Sequence, residues 1–183
     1  VYLFISGGIH LDGLADSTDG LFSARDKERI LVIMKDSHIG SFGVIALILY
    51  FISIVIISGN LSFMWLLLMP FIGKSFGLIA GSFSDYARKD QGMGYLFMHH
   101  LKPLHGLLIL AVVACAVGVF LGLVGLLAIL FCLLMLFLIQ NKCIKTIGGH
   151  TGDTIGMTIE VIQVCFLLAG YICSALMGSQ IWG

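Results

Sequence analysis

Three aspartates near the start of the chain have a spacing that could bind a divalent cation. Asp12, Asp16 and Asp19 are separated by four and then three residues, so a helix over residues 10–20 would place all three carboxylates on one face. Carboxylates at the edge of a bilayer carry a desolvation cost that a bound metal or a cationic partner can offset. We therefore expect a metal site here rather than a solvated acidic loop, because Gly, Leu and Ala fill the intervening positions.

A second acidic segment follows a glycine pair late in the chain. Gly149 and Gly152 permit close backbone approach, and Thr151 or Asp153 could cap a helix whose amide groups face a phosphate. Glu160 stands seven residues after Asp153, hence on nearly the same helix face. The alternative is an ordinary capped helix with one buried glutamate.

Two further segments place cations beside flexible glycines. Lys35 precedes Asp36 and Ser37 in a turn that leads into an apolar run, and such a turn can bind phosphate oxygens through the lysine and backbone amides. A lysine that snorkels at a helix entry would look the same. Arg88 lies in a similar glycine-flanked stretch, where positive charge on one side of a membrane explains much of the pattern.

The composition is that of a polytopic membrane protein. Hydrophobic residues make up 59% of the chain and charged residues 11%, whereas soluble domains are about 25% charged. Mean hydropathy is +1.08. The formal net charge is zero, so global electrostatics indicate no nucleic-acid partner.

A helix needs roughly 20 residues to span a bilayer, and several apolar stretches of this chain approach that length. They predict an all-α, polytopic transmembrane helical bundle of about five to six spans. They lie near 42–58, 61–81, 104–121, 122–140 and 155–178, and residues 1–9 resemble the end of another. We expect one integral-membrane domain over 1–183 with an N-terminal segment missing, since the chain starts inside an apolar run. The basic and acidic motif loops share one side, which the positive-inside rule makes cytoplasmic.

Four blocks together resemble one family: GGIHLDGLADSTDG, MKDSHIGSFG, YARKDQGMG and GGHTGDTIGMTIE, in this order and between membrane spans. They closely resemble the cobalamin synthases, or adenosylcobinamide-GDP ribazoletransferases. The resemblance implies a Mg²⁺-dependent enzyme of the bacterial inner membrane, with its active site facing the cytoplasm. Such enzymes join adenosylcobinamide-GDP to alpha-ribazole or its 5′-phosphate and release GMP. Ser17, His38 and Gln163 depart from the residues commonest in the family, and Gln163 replaces a frequent second glutamate.

That reaction is a displacement at phosphorus, which needs positioning and charge neutralisation. For it we assign metal ligation to Asp12, Asp16, Asp19 and Asp153, and leave the acceptor of the hydroxyl proton open among Asp19, Asp153 and Glu160. The expected substrate-binding residues are Lys35, Asp36, Ser37, Arg88, Gly149, Thr151 and Gly152. Membrane lipid is an expected partner, and glycine steps in the apolar helices are compatible with a homo-oligomer.

Three other protein classes stay open on sequence grounds. A CDP-alcohol phosphotransferase also uses clustered aspartates at a membrane face, but Asp16, Asp19 and Arg25 fit its opening motif with one residue too many, and its downstream aspartates are absent. An aspartate-rich membrane prenyltransferase would not explain the lysine and GGHTGD blocks. A transporter would place ionisable residues mid-span in several helices, a description that only Lys74 and Glu160 approach.

Overall fold

The computed structural model describes residues 7–88 and 93–176, and in this part of the chain the architecture is helical. The helices are α1 (Ile9–Leu21), α2 (Lys27–Ile33), α3 (Ser41–Ser58), α4 (Phe63–Ser82), α5 (Met93–His99), α6 (Pro103–Ile147) and α7 (Gly152–Leu176). The all-α expectation is confirmed, and α1 includes all of residues 10–20, the segment in which a helix would place the three carboxylates on one face.

Four of the described helices, α3, α4, α6 and α7, are long and apolar enough to cross a membrane. Helix α6 has 45 residues and is broken at Gly122, where φ is 60° and ψ is −147°. Its first arm begins with Gly106 packed against Phe83, and its second arm brings the Gln140 amide to the Ala80 carbonyl oxygen at 3.2 Å. Because both contacts lie at the end of α4, the two arms of α6 run back along each other as a helical hairpin.

The predicted spans therefore correspond to the observed ones. The turn after Ser58 separates α3 from α4, and Gly122 separates the two arms of α6. The apolar run predicted at residues 1–9 lies largely outside the described residues. All long charged connections of the described chain, between α1 and α3, between α4 and α6 and between α6 and α7, lie at one end of the bundle, which we call the polar end.

Helices α4 and α7 form the centre of the bundle. The buried rings of Trp65 and Phe166 lie 4.8 Å apart, and Gly170 leaves space for the tryptophan. On the same interface Gly73 and Gly77 approach α7 so closely that an added Cβ would meet its side chains at 2.6–2.7 Å. This glycine-dependent packing fixes the position of α7, whose first turns contribute to the site.

Glycine also brings the short helix α1 against the first turns of α7. A Cβ at Gly13 would lie 2.7 Å from the Asp153 carbonyl oxygen, and one at Gly156 would lie 3.3 Å from the His10 backbone. A side chain at Gly13 would force the two backbones apart, and one at Gly156 would make a contact tighter than ordinary packing. The crossing therefore places Asp12 and Asp16, on either side of Gly13, beside the start of α7.

Candidate functional site

The acidic segments from the two ends of the chain meet in one cavity at the polar end. Asp12 from α1 and Asp153 from α7 line this site cavity together with Arg88 and Tyr86, and its volume is about 440 Å³. The Arg88 guanidinium donates to the Asp153 carboxylate over 2.7 Å. The site thus combines carboxylates with one cation that directly neutralises one of them.

Asp16 experiences the negative charge of this cluster. Its pKa is raised from 3.8 to about 7, first by burial and then by the nearby charges of Asp12, Asp153 and Asp19, while Arg88 acts in the opposite direction. A carboxyl group held neutral up to about pH 7 by burial and by neighbouring negative charges is one that a cation would stabilise in its ionised form. The electrostatics of the cluster therefore favour a bound cation.

Asp19 lies close enough to raise the pKa of Asp16, but its carboxylate already has two backbone partners. Its oxygens accept from the N–H of Gly40 at 2.7 Å and from the N–H of Gly43 at 2.9 Å. These amides belong to the start of α3, so Asp19 satisfies donors that a helix N-terminus leaves open. In the structure Asp19 therefore anchors the start of α3. The sequence analysis had assigned it only to metal binding and to acceptance of the hydroxyl proton.

The predicted lysine turn is not brought into the site cavity. Lys35, Asp36 and Ser37 are exposed in the connection between α2 and α3. The Asp36 carboxylate accepts from the His38 backbone N–H at 3.0 Å and lies 2.6 Å from His38 Nδ1, and these bonds lower the pKa of Asp36. The assignment of these three residues to substrate binding stays a prediction that the described contacts do not support.

The GGHTGD segment forms a backbone bridge that positions Arg88. The His150 N–H donates to the Asp85 carbonyl oxygen at 2.9 Å, and the Ala87 N–H donates to the His150 carbonyl oxygen at 2.8 Å. Gly149 has no room for a side chain because a Cβ would overlap that Asp85 carbonyl. This contact holds the residue after Ala87, Arg88, against the first turn of α7.

The same segment builds the start of α7. The Thr151 hydroxyl accepts from the Thr154 N–H at 3.2 Å, and the Thr154 hydroxyl oxygen accepts from the Thr151 N–H at 2.8 Å. Thr151, one of the two predicted caps, therefore caps the helix and leaves Asp153 available to the cavity. His150 is fully buried with Nδ1 3.0 Å from the Thr154 hydroxyl oxygen, and burial lowers its pKa to about 4.

Glu160 lies behind the site cavity and does not line it. The residue is fully buried, and its Oε1 lies 3.7 Å from Nδ1 of His10, a cavity-lining residue of α1. Neither His10 nor Tyr86 was among the site residues expected from the sequence. The signals were present, because His10 lies two residues before Asp12 and Tyr86 two residues before Arg88.

In the described part of the chain no three His, Cys, Asp or Glu side chains converge tightly enough to enclose a metal ion by themselves. Magnesium usually keeps several waters and takes one or two carboxylates together with substrate phosphates. The oxygen donors of Asp12, Asp16 and Asp153 fit this mode, in which the substrate completes the coordination. The residues present are therefore compatible with Mg²⁺.

Fold and site define a polytopic helical membrane protein with an acidic, arginine-containing cavity at one end. Residues 1–171 match the sequence profile of the family described as cobalamin-5-phosphate synthase, and the chain belongs to this family.

Curated relatives share the corresponding name. The adenosylcobinamide-GDP ribazoletransferase of Alkaliphilus oremlandii is 37% identical over 178 residues, which cover 97% of this chain and 72% of that protein. The proteins of the same name from Clostridium acetobutylicum and Klebsiella pneumoniae (strain 342) are each 37% identical, over 93% and 90% of this chain and 69% of the relative in both cases. No solved structure showed significant similarity.

Proposed function

We propose that this protein transfers the adenosylcobinamide-phosphate group of adenosylcobinamide-GDP to alpha-ribazole or its 5′-phosphate, and releases GMP. Family membership and the names of the curated relatives support this activity. The structural observation that carries it is the meeting of Asp12 and Asp153, from the two ends of the chain, with Arg88 in one cavity. A membrane location follows from the four long apolar helices.

The reaction replaces one phosphorus–oxygen bond by another. The ribose hydroxyl of alpha-ribazole forms a bond to the phosphorus carried by the cobinamide arm, and the bond from that phosphorus to the oxygen bridging to GMP breaks. The hydroxyl proton is lost, and GMP leaves with the bridging oxygen. Such displacements depend on in-line positioning and on neutralising the charge of the phosphates.

Magnesium is the metal that we propose for this site, held by Asp12, Asp16 and Asp153. When bound it would neutralise phosphate charge that the carboxylates alone would repel. The raised pKa of Asp16 is the observation that supports a cation in this position. Asp19, predicted as a fourth ligand, is better placed to hold α3 beside Asp16.

The remaining roles follow from position in the cavity. Arg88 can move from Asp153 to a phosphate oxygen of the substrate, since its planar group binds carboxylates and phosphates alike. Among the three candidates for accepting the hydroxyl proton we favour Asp153, because it alone of the three lines the cavity. Glu160 then acts through His10 on the wall of the cavity and is a positioning residue.

We further propose that the polar end faces the cytoplasm of a bacterial inner membrane. The charged connections between α1 and α3, between α4 and α6 and between α6 and α7 carry Lys and Arg residues, as the positive-inside rule predicts for cytoplasmic loops. Labelling of an introduced cysteine in place of Ser37 should then require a membrane-permeant reagent in intact cells. Labelling by an impermeant reagent would reverse the orientation.

The activity is tested with purified protein in detergent micelles. GMP release should require adenosylcobinamide-GDP, alpha-ribazole and Mg²⁺ together, and EDTA should stop it. The Asp12→Asn variant should lose release, whereas Asp85→Asn should retain it, because the Asp85 side chain is exposed and its carbonyl bond to His150 is unchanged. No release by the wild type with both substrates present would reject the proposed function.

A further inference from the structure

A second cavity lies on the other side of α1 from the aspartates. It has a volume of about 440 Å³, and its walls come from α1, α3, the second arm of α6 and α7. The α1 residues that line it include Leu14 and Leu21, which lie on the helix face opposite Asp12 and Asp16. We call this cavity the apolar groove. The proposed reaction uses none of its lining.

The groove is long, apolar and open to the outside of the bundle. Along α7 its lining runs from Met157 to Cys165, a distance of about 12 Å at the helical rise per residue. Leu49 and Leu138, which line its outer part, keep 59% and 50% of their surface exposed. Both belong to membrane-spanning helices, so this opening faces the hydrocarbon of the bilayer.

One end of the groove is cationic. Lys142 lines the groove with its Nζ 5.5 Å from the centre of the Phe22 ring, and among the described residues it forms no ion pair. Neither Lys145, in the last turn of the same helix, nor Lys27 lines the groove, so Lys142 supplies its positive charge. A hydrocarbon channel with one lysine at its polar end complements an amphiphile that has an anionic head and an apolar tail.

We propose that the apolar groove is a binding site for one anionic phospholipid. Its acyl chain lies along α7 between Met157 and Cys165, and its phosphate pairs with Lys142. Such a lipid packs against Leu14 and Leu21 and thereby supports the helix whose opposite face carries the metal-binding aspartates. The site is independent of the proposed reaction, and its test requires no turnover.

The test is retention of lipid by purified protein. After reconstitution in nanodiscs of mixed phosphatidylcholine and phosphatidylglycerol, native mass spectrometry should find one phosphatidylglycerol retained by the wild type. Lys142→Gln should lower that preference about fivefold, the factor that corresponds to one lysine–lipid charge interaction. Lys145→Gln is the matched control on the same helix and should retain the lipid, because its side chain does not line the groove. Equal retention by Lys142→Gln and the wild type would overturn the proposal.

A groove-filling variant tests the hydrocarbon part separately. Ala46 lines the groove from α3, and Ala46→Phe should reduce retention of both lipids while Lys142 is intact. Should this variant fail to fold, photoactivatable phosphatidylglycerol supplies the measurement with the wild type, where the label should fall on residues 157–165. Label found only elsewhere, or displacement of phosphatidylglycerol by alpha-ribazole, would contradict the lipid assignment.

Discussion

The substitution Asp16→Asn tests the charge cluster through the stability of the folded protein. In the folded protein the pKa of Asp16 is about 7 instead of 3.8, first because of burial and then because of Asp12, Asp153 and Asp19. Each pKa unit corresponds to about 1.4 kcal/mol, so the full penalty for ionising Asp16 is about 4 kcal/mol. Asp16 is only partly buried, and solvent screening reduces the expected contribution to about 1–2 kcal/mol.

The sign of the effect follows from proton binding. Between pH 3.8 and about 7 the folded protein holds a proton on Asp16 that the unfolded chain has lost, so stability falls as the pH rises through this range. Above it the whole penalty is present. Without divalent cations at about pH 8, Asp16→Asn should therefore be more stable than the wild type by about 1–2 kcal/mol.

Magnesium should reverse this order. A ligand at a hundred times its dissociation constant stabilises the folded state by about 2.7 kcal/mol, and Asp16→Asn should gain much less because one of its ligands is gone. Unfolding in mixed micelles, followed by tryptophan fluorescence with and without Mg²⁺, measures both effects. Asp85→Asn should behave as the wild type does in both. A variant Asp16→Asn that is less stable than the wild type without metal, or that gains equally from Mg²⁺, would refute the reasoning.

Three other substitutions test the parts that assemble the site. Gly13→Ala should abolish turnover and Mg²⁺-induced stabilisation, because its Cβ would lie 2.7 Å from the Asp153 carbonyl oxygen. Gly59→Ala should leave both unchanged, because its Cβ would meet only the Ile56 carbonyl oxygen, at 4.0 Å. Arg88→Met should lower GMP release about a hundredfold through loss of a phosphate partner, and a variant with normal release would exclude that role. Burial lowers the pKa of His150 from 6.5 to about 4, so the unfolded chain binds this proton first and stability is lost as the pH falls across that interval. In an Asp16→Asn background, His150→Asn should reduce the loss of unfolding free energy between pH 6.5 and about 4. An unchanged loss would exclude His150 as its source.

The sequence predicted those features that depend on short stretches of chain. The length of an apolar run decides whether a helix can span a bilayer, so the boundaries around Ser58 and Gly122 agree with the structure. The spacing of Asp12 and Asp16 predicted a shared face if their segment is helical, and this segment is helix α1. Both inferences needed only neighbours within a few turns of helix.

Features that depend on tertiary contacts were not predictable in this way. Asp19 accepts hydrogen bonds from the Gly40 and Gly43 amides, which lie more than twenty positions further along the chain. No local sequence pattern distinguishes an aspartate with this role from a metal ligand. The backbone hydrogen bonds between His150 and the segment before Arg88 join residues more than sixty positions apart. In both cases the residue lies in a short polar motif, but its hydrogen-bond partners belong to a distant part of the chain.

The anchoring role of Asp19 changes how the lysine turn is understood. Because Asp19 is bonded to the first amides of α3, the position of the preceding turn depends on the helix that also carries Asp12 and Asp16. Closure of the proposed metal site would pull on α1 and, through Asp19, on the start of α3. Lys35 lies only five residues before Gly40, so a substrate phosphate that binds to the aspartates through Mg²⁺ would alter the placement of this lysine without contacting it. Asp19→Asn should accordingly weaken substrate binding more than Mg²⁺ binding, because an amide side chain has one acceptor oxygen for two backbone donors. Equal losses of substrate and Mg²⁺ binding would instead indicate that Asp19 is a metal ligand.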